Sequence, residues 1–364
     1  MFKIEPDIKF KEQLIQSSKS ELNKCMQCGE CSVVCSLAPE DRPFPRKEMI
    51  WCGWGLKDKL MGNPDIWLCH QCGDCSTHCP RGVKPADVIA SLRQQTYLHY
   101  ARPKFLGKLL AKPAFLPIAL LIPLVIILGI IYAAGTLHIP EGDVNYSKFF
   151  PHAWLNTSFT LLTFLVIGTT VIGLRKFWAD MKYFVPDMKN KMSFFKSLTL
   201  TLKEILSHNR FGKCDSSRVR RWAHMLIFYG FILLLIVTAF AIVATLTHKY
   251  PLAITNPFKL LGNLAALMLT VGCAIMIFQR IFNKDKSGSS NYTDWIFLII
   301  LLVLTFTGII LEFARFNNWN IAYYLYTFHL VLVWFLIIYL PYTKFGHMLY
   351  RTLAMVFCKM AGRE

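Results

Sequence analysis

Acidic residues are scarce in this chain. Only 22 Asp and Glu stand against 40 Lys and Arg in 364 residues, and charged residues of both signs make up 17% while 54% are hydrophobic. Little charge with much apolar bulk excludes an ordinary soluble domain, because the apolar surface and the net charge of +18 must be segregated along the chain. The sequence has no Gly-rich dinucleotide fingerprint after a strand and no motif for a molybdenum site, so nothing in it splits a substrate bond. The start, MFKIEPDIKFKEQL, lacks the apolar core of a secretory signal, and the N-terminal region is expected to stay inside the cell. Nucleic-acid binding is disfavoured, since the basic residues flank apolar segments instead of lining one stripe with aromatics.

What the chain does have is two cysteine runs, CMQCGECSVVC from Cys25 to Cys35 and CHQCGDCSTHCP from Cys69 to Pro80. Each has the spacing C-x2-C-x2-C-x3-C, which gathers three thiolates on one turn of backbone and sends the fourth to a neighbouring cube. Two such runs predict two [4Fe-4S] clusters with crossed ligation. Cys25, Cys28, Cys31 and Cys79 would hold one; Cys69, Cys72, Cys75 and Cys35 would hold the other. Disulfides or zinc knuckles fit the tripled C-x2-C-x2-C poorly. Cys52, Cys214, Cys273 and Cys358 have no metal spacing and read as free thiols. Thirty-three residues separate Cys35 from Cys69, too many for a compact β-ferredoxin turn. The stretches SKSELNK and KPADVIASLRQQTYL read as helices, with Pro85 near the start of the second. Residues 1–100 are therefore predicted to be an α-helical ferredoxin domain in an all-α chain, followed by a basic linker at 101–113.

Six apolar segments follow, at 114–135, 152–174, 223–247, 258–279, 294–314 and 320–342, each about twenty residues long as a membrane crossing requires. With the cysteine runs assigned to the cytoplasm, 36 of the 40 basic residues fall on that side, and only Lys148, Lys249, Lys259 and Arg315 fall opposite. The positive-inside rule then predicts a multi-pass protein of the cytoplasmic membrane with both termini inside, a membrane domain at 114–347 and a cytoplasmic tail at 348–364. The loop segment FFKSLTLTLKEILSH places Phe194, Phe195, Leu198, Leu202, Ile205 and Leu206 at helical spacing opposite lysines. It predicts an interfacial helix over 192–208, with His208 at its polar end as a surface residue.

Ionisable residues in spans are costly, and this chain places histidines there repeatedly. His329 lies in the sixth segment and His347 just beyond its end, eighteen residues apart. On one continuous helix that is five turns, which sets both imidazoles on one face roughly 27 Å apart, the separation of two haems stacked across a bilayer. His224, just after Arg220 and Arg221, is at the depth to pair with His347 for an inner haem b. The outer partner of His329 is His152 or His248. His248 is rotated about 120° from His224 on an ideal helix, which favours His152. Glu312, Arg315, Asp180 and Lys182 are candidate proton acceptors for a quinol.

The segment HLVLVWFLIIYLPYTKFGH, with Pro341 and Lys344, resembles the haem-binding helix of nitrate reductase gamma subunits. Over nearly the whole chain the sequence resembles the C subunits of quinone-interacting membrane-bound oxidoreductase complexes, themselves similar to a fusion of the C and E subunits of heterodisulfide reductase. The residues that carry this are MIWCGWGLKDKLMGNPDIWLCHQCGDCSTHCPRGVKPADVIASLR, the PHAW entry at His152 and RRWAHMLIFYGF around His224. The resemblance implies a six-helix bundle with two b haems, menaquinone as lipid-side substrate, and flavin and iron-sulfur partners like the A subunit of heterodisulfide reductase. In sulfate reducers it implies electron delivery toward adenylylsulfate reductase. An electron carrier for another anaerobic dehydrogenase, a phenazine-linked heterodisulfide reductase and a redox sensor are the competing readings.

Overall fold

The computed structural model describes residues 5–38, 43–185, 192–208, 218–247, 252–253, 255–283 and 290–363, and among these residues it is helical with no strand. The N-terminal half is built on α1 (Ile8–Ser18) and α6 (Pro85–Tyr100), which pack together. Asp7 caps α1 by accepting from the Phe10 N–H at 2.9 Å, and Pro85 opens α6 where a missing N–H costs nothing. Short helices α2 (Glu30–Val33), α3 (Arg46–Gly53), α4 (Lys57–Met61) and α5 (Asp74–Thr77) fill the space between them. Phe10, Leu14, Met49, Leu60, Trp67, Val88, Ile89 and Leu92 form the core. Of the helix expected at SKSELNK only one 3-10 turn, Leu22–Lys24, is present, because α1 ends at Ser18 where the stretch begins. Lys19 takes a left-handed φ of 51° and ends α1, and Ser20 Oγ instead accepts from the Lys84 N–H at 3.1 Å, tying this turn to the start of α6.

After α7 (Lys104–Ala111) come the long helices: α8 (Leu116–Ala133), α10 (His152–Phe184) beyond the short α9 (Tyr146–Phe149), α12 (Arg218–Leu246), α13 (Pro257–Phe282) and α14 (Tyr292–Phe316). Among the described residues these five are long and apolar enough to cross a membrane, and α15 (Ala322–Ile338) is apolar but shorter. Large apolar side chains such as Phe164, Leu165, Leu235 and Val243 stay exposed on them, which water would not tolerate but lipid does. The chain is a membrane protein by this reading. Helices α12 and α13 meet backbone to backbone. A Cβ added at Gly230 would sit 3.1 Å from the Ala265 carbonyl, and one at Gly272 would sit 3.0 Å from the Ala223 carbonyl.

Two sequence expectations are corrected here. The sixth segment is not one helix: α15 ends at Ile338, a tight turn spans Leu340–Tyr342, and α16 starts afresh at Lys344 and runs to Met360. Pro341 has no N–H to donate and its ring crowds the preceding turn, which kinks or ends a helix; at Leu340–Tyr342 the helix ends, whereas Pro123 is carried inside α8. His329 and His347 therefore sit on separate helices, and the five-turn alignment does not hold. Nor do residues 348–364 form a tail. Tyr350, Ala354 and Phe357 of α16 are buried with Phe177 and Met181 of α10 in the core of the N-terminal half. Tyr350 stacks on Trp67 at 5.8 Å and Trp178 meets Phe357 edge-on at 5.4 Å. Each such ring buries enough apolar surface for about 1.5–3 kcal/mol, which fastens the cysteine-bearing half to the membrane half.

Helix α11 (Phe194–Ser207) lies within the expected 192–208 and is amphipathic in an unusual sense. Ser197 and Thr201 are buried toward the protein, Glu204 pairs with Lys359 of α16 at 3.0 Å, and Phe195, Leu202 and Leu206 face outward. Its outward apolar face thus lies beside the long apolar helices.

Candidate iron-sulfur and histidine sites

The two cysteine runs adopt the same backbone. Gln27 and Gln71 have φ of 59° and 56°, Gly29 and Gly73 have φ of 89° and 98°, and each glycine opens a short helix, α2 or α5. Positive φ at Gly29 and Gly73 turns the chain sharply enough to bring successive cysteines to one side of the loop. Hydrogen bonds to sulfur recur as well: Gln27 Nε2 donates to Cys25 Sγ at 3.2 Å and the Gln71 N–H donates to Cys69 Sγ at 3.3 Å.

Crossed sets of thiols result. Cys25, Cys28, Cys31 and Cys79 line one open hollow of ≈ 390 Å³; Cys35, Cys69, Cys72 and Cys75 line a second of ≈ 380 Å³. Among the described residues no three His, Cys, Asp or Glu side chains converge tightly enough to hold a single metal ion. Thiols ringing a hollow, instead of closing on a point, fit a multi-atom cluster and not a zinc knuckle. The described cysteines are all unbridged, and Cys214 lies outside the described residues. Burial, then the charges of Cys25, Cys28 and Cys79, pushes the Cys31 thiol up to about 11. Burial, with Cys69 and Cys72 adding to it, pushes Cys35 up to about 11, and Cys75 is raised by burial and the same neighbours. Four thiolates in one hollow would need cations between them, which bound iron would supply.

The histidines divide into two groups. On α12, His224 Nδ1 lies 3.2 Å from His208 Nε2, while His208 Nδ1 lies 3.2 Å from the Leu206 carbonyl. A carbonyl only accepts, so His208 carries its proton on Nδ1 and accepts at Nε2. His224 must then donate from Nδ1, which leaves the lone pair on its Nε2. His208, expected at the surface, is buried at 5% exposure. It is the left-handed residue that ends α11 (φ 51°), and only the packing of α11 onto its neighbours turns it inward. His347, in the first turn of α16, donates from Nδ1 to the Lys344 carbonyl. Its lone pair is likewise on Nε2. Lys344 is itself fixed by Asp294 at 2.8 Å, and Asp294 also faces Arg280 at 3.8 Å. Phe231 of α12 meets Phe345 of α16 edge-on at 4.7 Å, so His224 and His347 stand on helices that meet.

The second group, around His329, is sparser. On α15, His329 Nδ1 lies 2.9 Å from Thr307 Oγ1, and Thr307 in turn donates to the Leu304 carbonyl at 2.9 Å. The hydroxyl has one proton, already given to Leu304, so His329 donates from Nδ1 and again presents Nε2. Gly308 leaves room beside this ring: a Cβ there would come within 3.3 Å of His329 Cε1. His152 is the first residue of α10 and half-buried, and His248 lies outside the described residues. The neutral imidazoles with Nε2 lone pairs at 224, 347 and 329 fit axial haem ligation. Thr307 and His208 were not foreseen, because each acts through a contact between helices distant in sequence. Among the expected proton acceptors, Asp180 accepts from Tyr100 Oη at 2.8 Å and Glu312 pairs with Lys259 at 3.1 Å.

Comparison with known proteins meets this geometry in both halves. Residues 106–364 match the family model of citrate utilization protein B. The chain belongs to the citrate utilization protein B family. The protein of that name from Escherichia coli is 30% identical over 280 residues, covering 72% of this chain and 71% of that one. Residues 21–83 match the 4Fe-4S dicluster domain. Here the similar proteins are of another kind: the C subunit of the H(2):CoB-CoM heterodisulfide,ferredoxin reductase of Methanothermobacter marburgensis is 34% identical over 92 residues, 24% of this chain and 48% of that one. A protein of Archaeoglobus profundus, named for its likeness to the C subunit of heterodisulfide reductase, is 35% identical over 78 residues, 21% of this chain and 42% of its own length. The chain spans less than half the length of these archaeal proteins. This member of the family thus joins an iron-sulfur electron-transfer domain, like those of oxidoreductase subunits, to a membrane part.

Proposed function

We propose that this chain is the membrane subunit of a quinone-linked oxidoreductase complex, in which two [4Fe-4S] clusters and two b haems carry electrons between menaquinol in the lipid and a soluble partner in the cytoplasm. The observation that supports it best is the succession of sites in one chain: two four-thiol hollows, then the His224 and His347 pair, then His329. Cys25, Cys28, Cys31 and Cys79 would hold one cluster and Cys35, Cys69, Cys72 and Cys75 the other; bound there, each supplies one-electron chemistry. His224 and His347 would ligate the inner haem, and His329 the outer one with His152 or His248. Asp294, Lys344, His208 and Thr307 orient these imidazoles, which is the role outer-shell partners take around metal ligands. The soluble partner would be a flavin and iron-sulfur protein like the A subunit of heterodisulfide reductase, with adenylylsulfate reductase as the end of the route.

A second reading differs in the partner. The E. coli relative, over 72% of this chain, is named for citrate utilization, which favours an organic-acid dehydrogenase feeding electrons toward the quinone. Co-purification in mild detergent tests both readings. Attached heterodisulfide reductase-like subunits support the first, and an attached flavoprotein dehydrogenase supports the second. A purified chain holding neither haem nor about eight non-haem irons, the content of two cubes, would contradict both.

A further inference from the structure

Three guanidinium groups converge on the short segment between the first two cysteines of the second run. Arg93 of α6 donates from Nη1 to the Cys69 carbonyl at 2.6 Å and from Nη2 to Gln71 Oε1 at 3.4 Å. Arg220 of α12 donates from Nη1 to the Gln71 carbonyl at 2.9 Å and from Nη2 to the His70 carbonyl at 3.3 Å. Arg351 of α16 donates from Nη2 to Nδ1 of the buried His70 at 2.8 Å. All three arginines are half-buried, whereas Arg46 and Arg81, which line the first hollow, are exposed and their charge is screened by water. Two of the three also stand one helical turn from a candidate haem ligand: Arg220 before His224 on α12, and Arg351 after His347 on α16. The same two helices therefore hold the cysteine loop and the histidine pair.

We propose that Arg93, Arg220 and Arg351 form a cradle for the 69–72 loop that raises the reduction potential of the cluster held by the second cysteine run and joins that cluster, not the one of the first run, to the membrane half. It rests on the reading of the cysteines and of His224 and His347 given above. Reduction adds one negative charge to a cluster, and cations held close in a water-poor setting stabilise the reduced form. Bonds to the carbonyls of residues 69–71 also fix where Cys69 and Cys72 present their sulfurs, so the three arginines are positioning residues.

The test is an anaerobic redox titration followed by electron paramagnetic resonance on the full chain in detergent. The second-run signal is assigned by its loss or change in Cys72→Ser. Arg93→Gln, Arg220→Gln and Arg351→Gln should each lower the midpoint potential of that signal and leave the other in place, and Arg220→Lys should recover most of the loss. Oxidised haem should speed the spin relaxation of the second-run signal more than that of the first. Equal shifts in both signals, no shift in either, or faster relaxation of the first-run signal would overturn the proposal. If one glutamine variant loses its iron, the remaining two decide by the same criterion. A native protein lacking two [4Fe-4S] signals contradicts the reading of the cysteine runs themselves; two signals without a selective shift contradict only the cradle.

Discussion

The two cysteine runs are near copies in backbone and opposites in surroundings. Both use a Gln and a Gly at positive φ to bend the loop, and both open a short helix with an acidic residue. Around the first run, Met26, Cys28, Val33, Arg46 and Arg81 are exposed. The second run is enclosed: Cys69, His70 and Cys75 are buried, and arginines from α6, α12 and α16 close over it. The local motif decides what each loop can bind, and the tertiary environment decides with what it exchanges electrons. The first run is open to solvent, and the second is tied by Arg220 and Arg351 to α12 and α16.

The largest test of that contrast removes a ligand. Cys28→Ser and Cys72→Ser should each cost about half of the non-haem iron, because each hollow has its own set of four thiols. Iron analysis with paramagnetic resonance would show one signal surviving in each variant, and loss of both from either change would mean the hollows do not load independently. Next in size is the seam between the halves. Phe357→Ala should destabilise the protein by about 3–5 kcal/mol, since its ring is fully buried between α10, α16 and the N-terminal core. A thermal melt in detergent measures it, and an unchanged melt would place the seam's strength elsewhere.

A pH experiment separates the iron-free state from the loaded one. Burial and neighbouring thiols raise Cys31 and Cys35 from about 9 to about 11 in the iron-free chain. A raised thiol pKa means the folded state favours the protonated form. That stabilisation is fully present below about pH 9 and is lost as pH rises through about 11. Melts of iron-free protein should fall over this window. Loaded protein, with thiols already deprotonated by iron, should change much less. The smallest expected effect is at Thr307. Thr307→Val removes the acceptor for His329 Nδ1 and should alter the spectrum or potential of one haem only, which optical titration resolves; Thr307→Ser should restore it.

Much of this contrast is legible in the sequence and some is not. The crossed thiol sets follow from C-x2-C-x2-C-x3-C, because ligand spacing is a local property of the backbone. The long apolar helices follow from composition for the same reason. What the sequence hides is tertiary. Pro341 is visible, yet a proline between apolar runs can kink a helix or end it, and the turn at Leu340–Tyr342 shows that here it ends one. Residues 348–364 read as a tail because α16 buries its aromatic face against residues hundreds of positions away. His208 reads as surface for the same reason: its burial depends on how α11 docks, and no periodicity within α11 records that.

On the proposed route, electrons pass between quinol and the first cysteine run by way of the inner histidine pair and the second run. Rapid mixing of the purified chain with a menaquinol analogue, followed optically and by freeze-quenched paramagnetic resonance, tests it most directly. Haem should be reduced first, the second-run cluster next and the first-run cluster last, with cluster reduction abolished in His347→Ala. Clusters reduced at an undiminished rate in His347→Ala would contradict it and would put the quinone beside the cysteine runs.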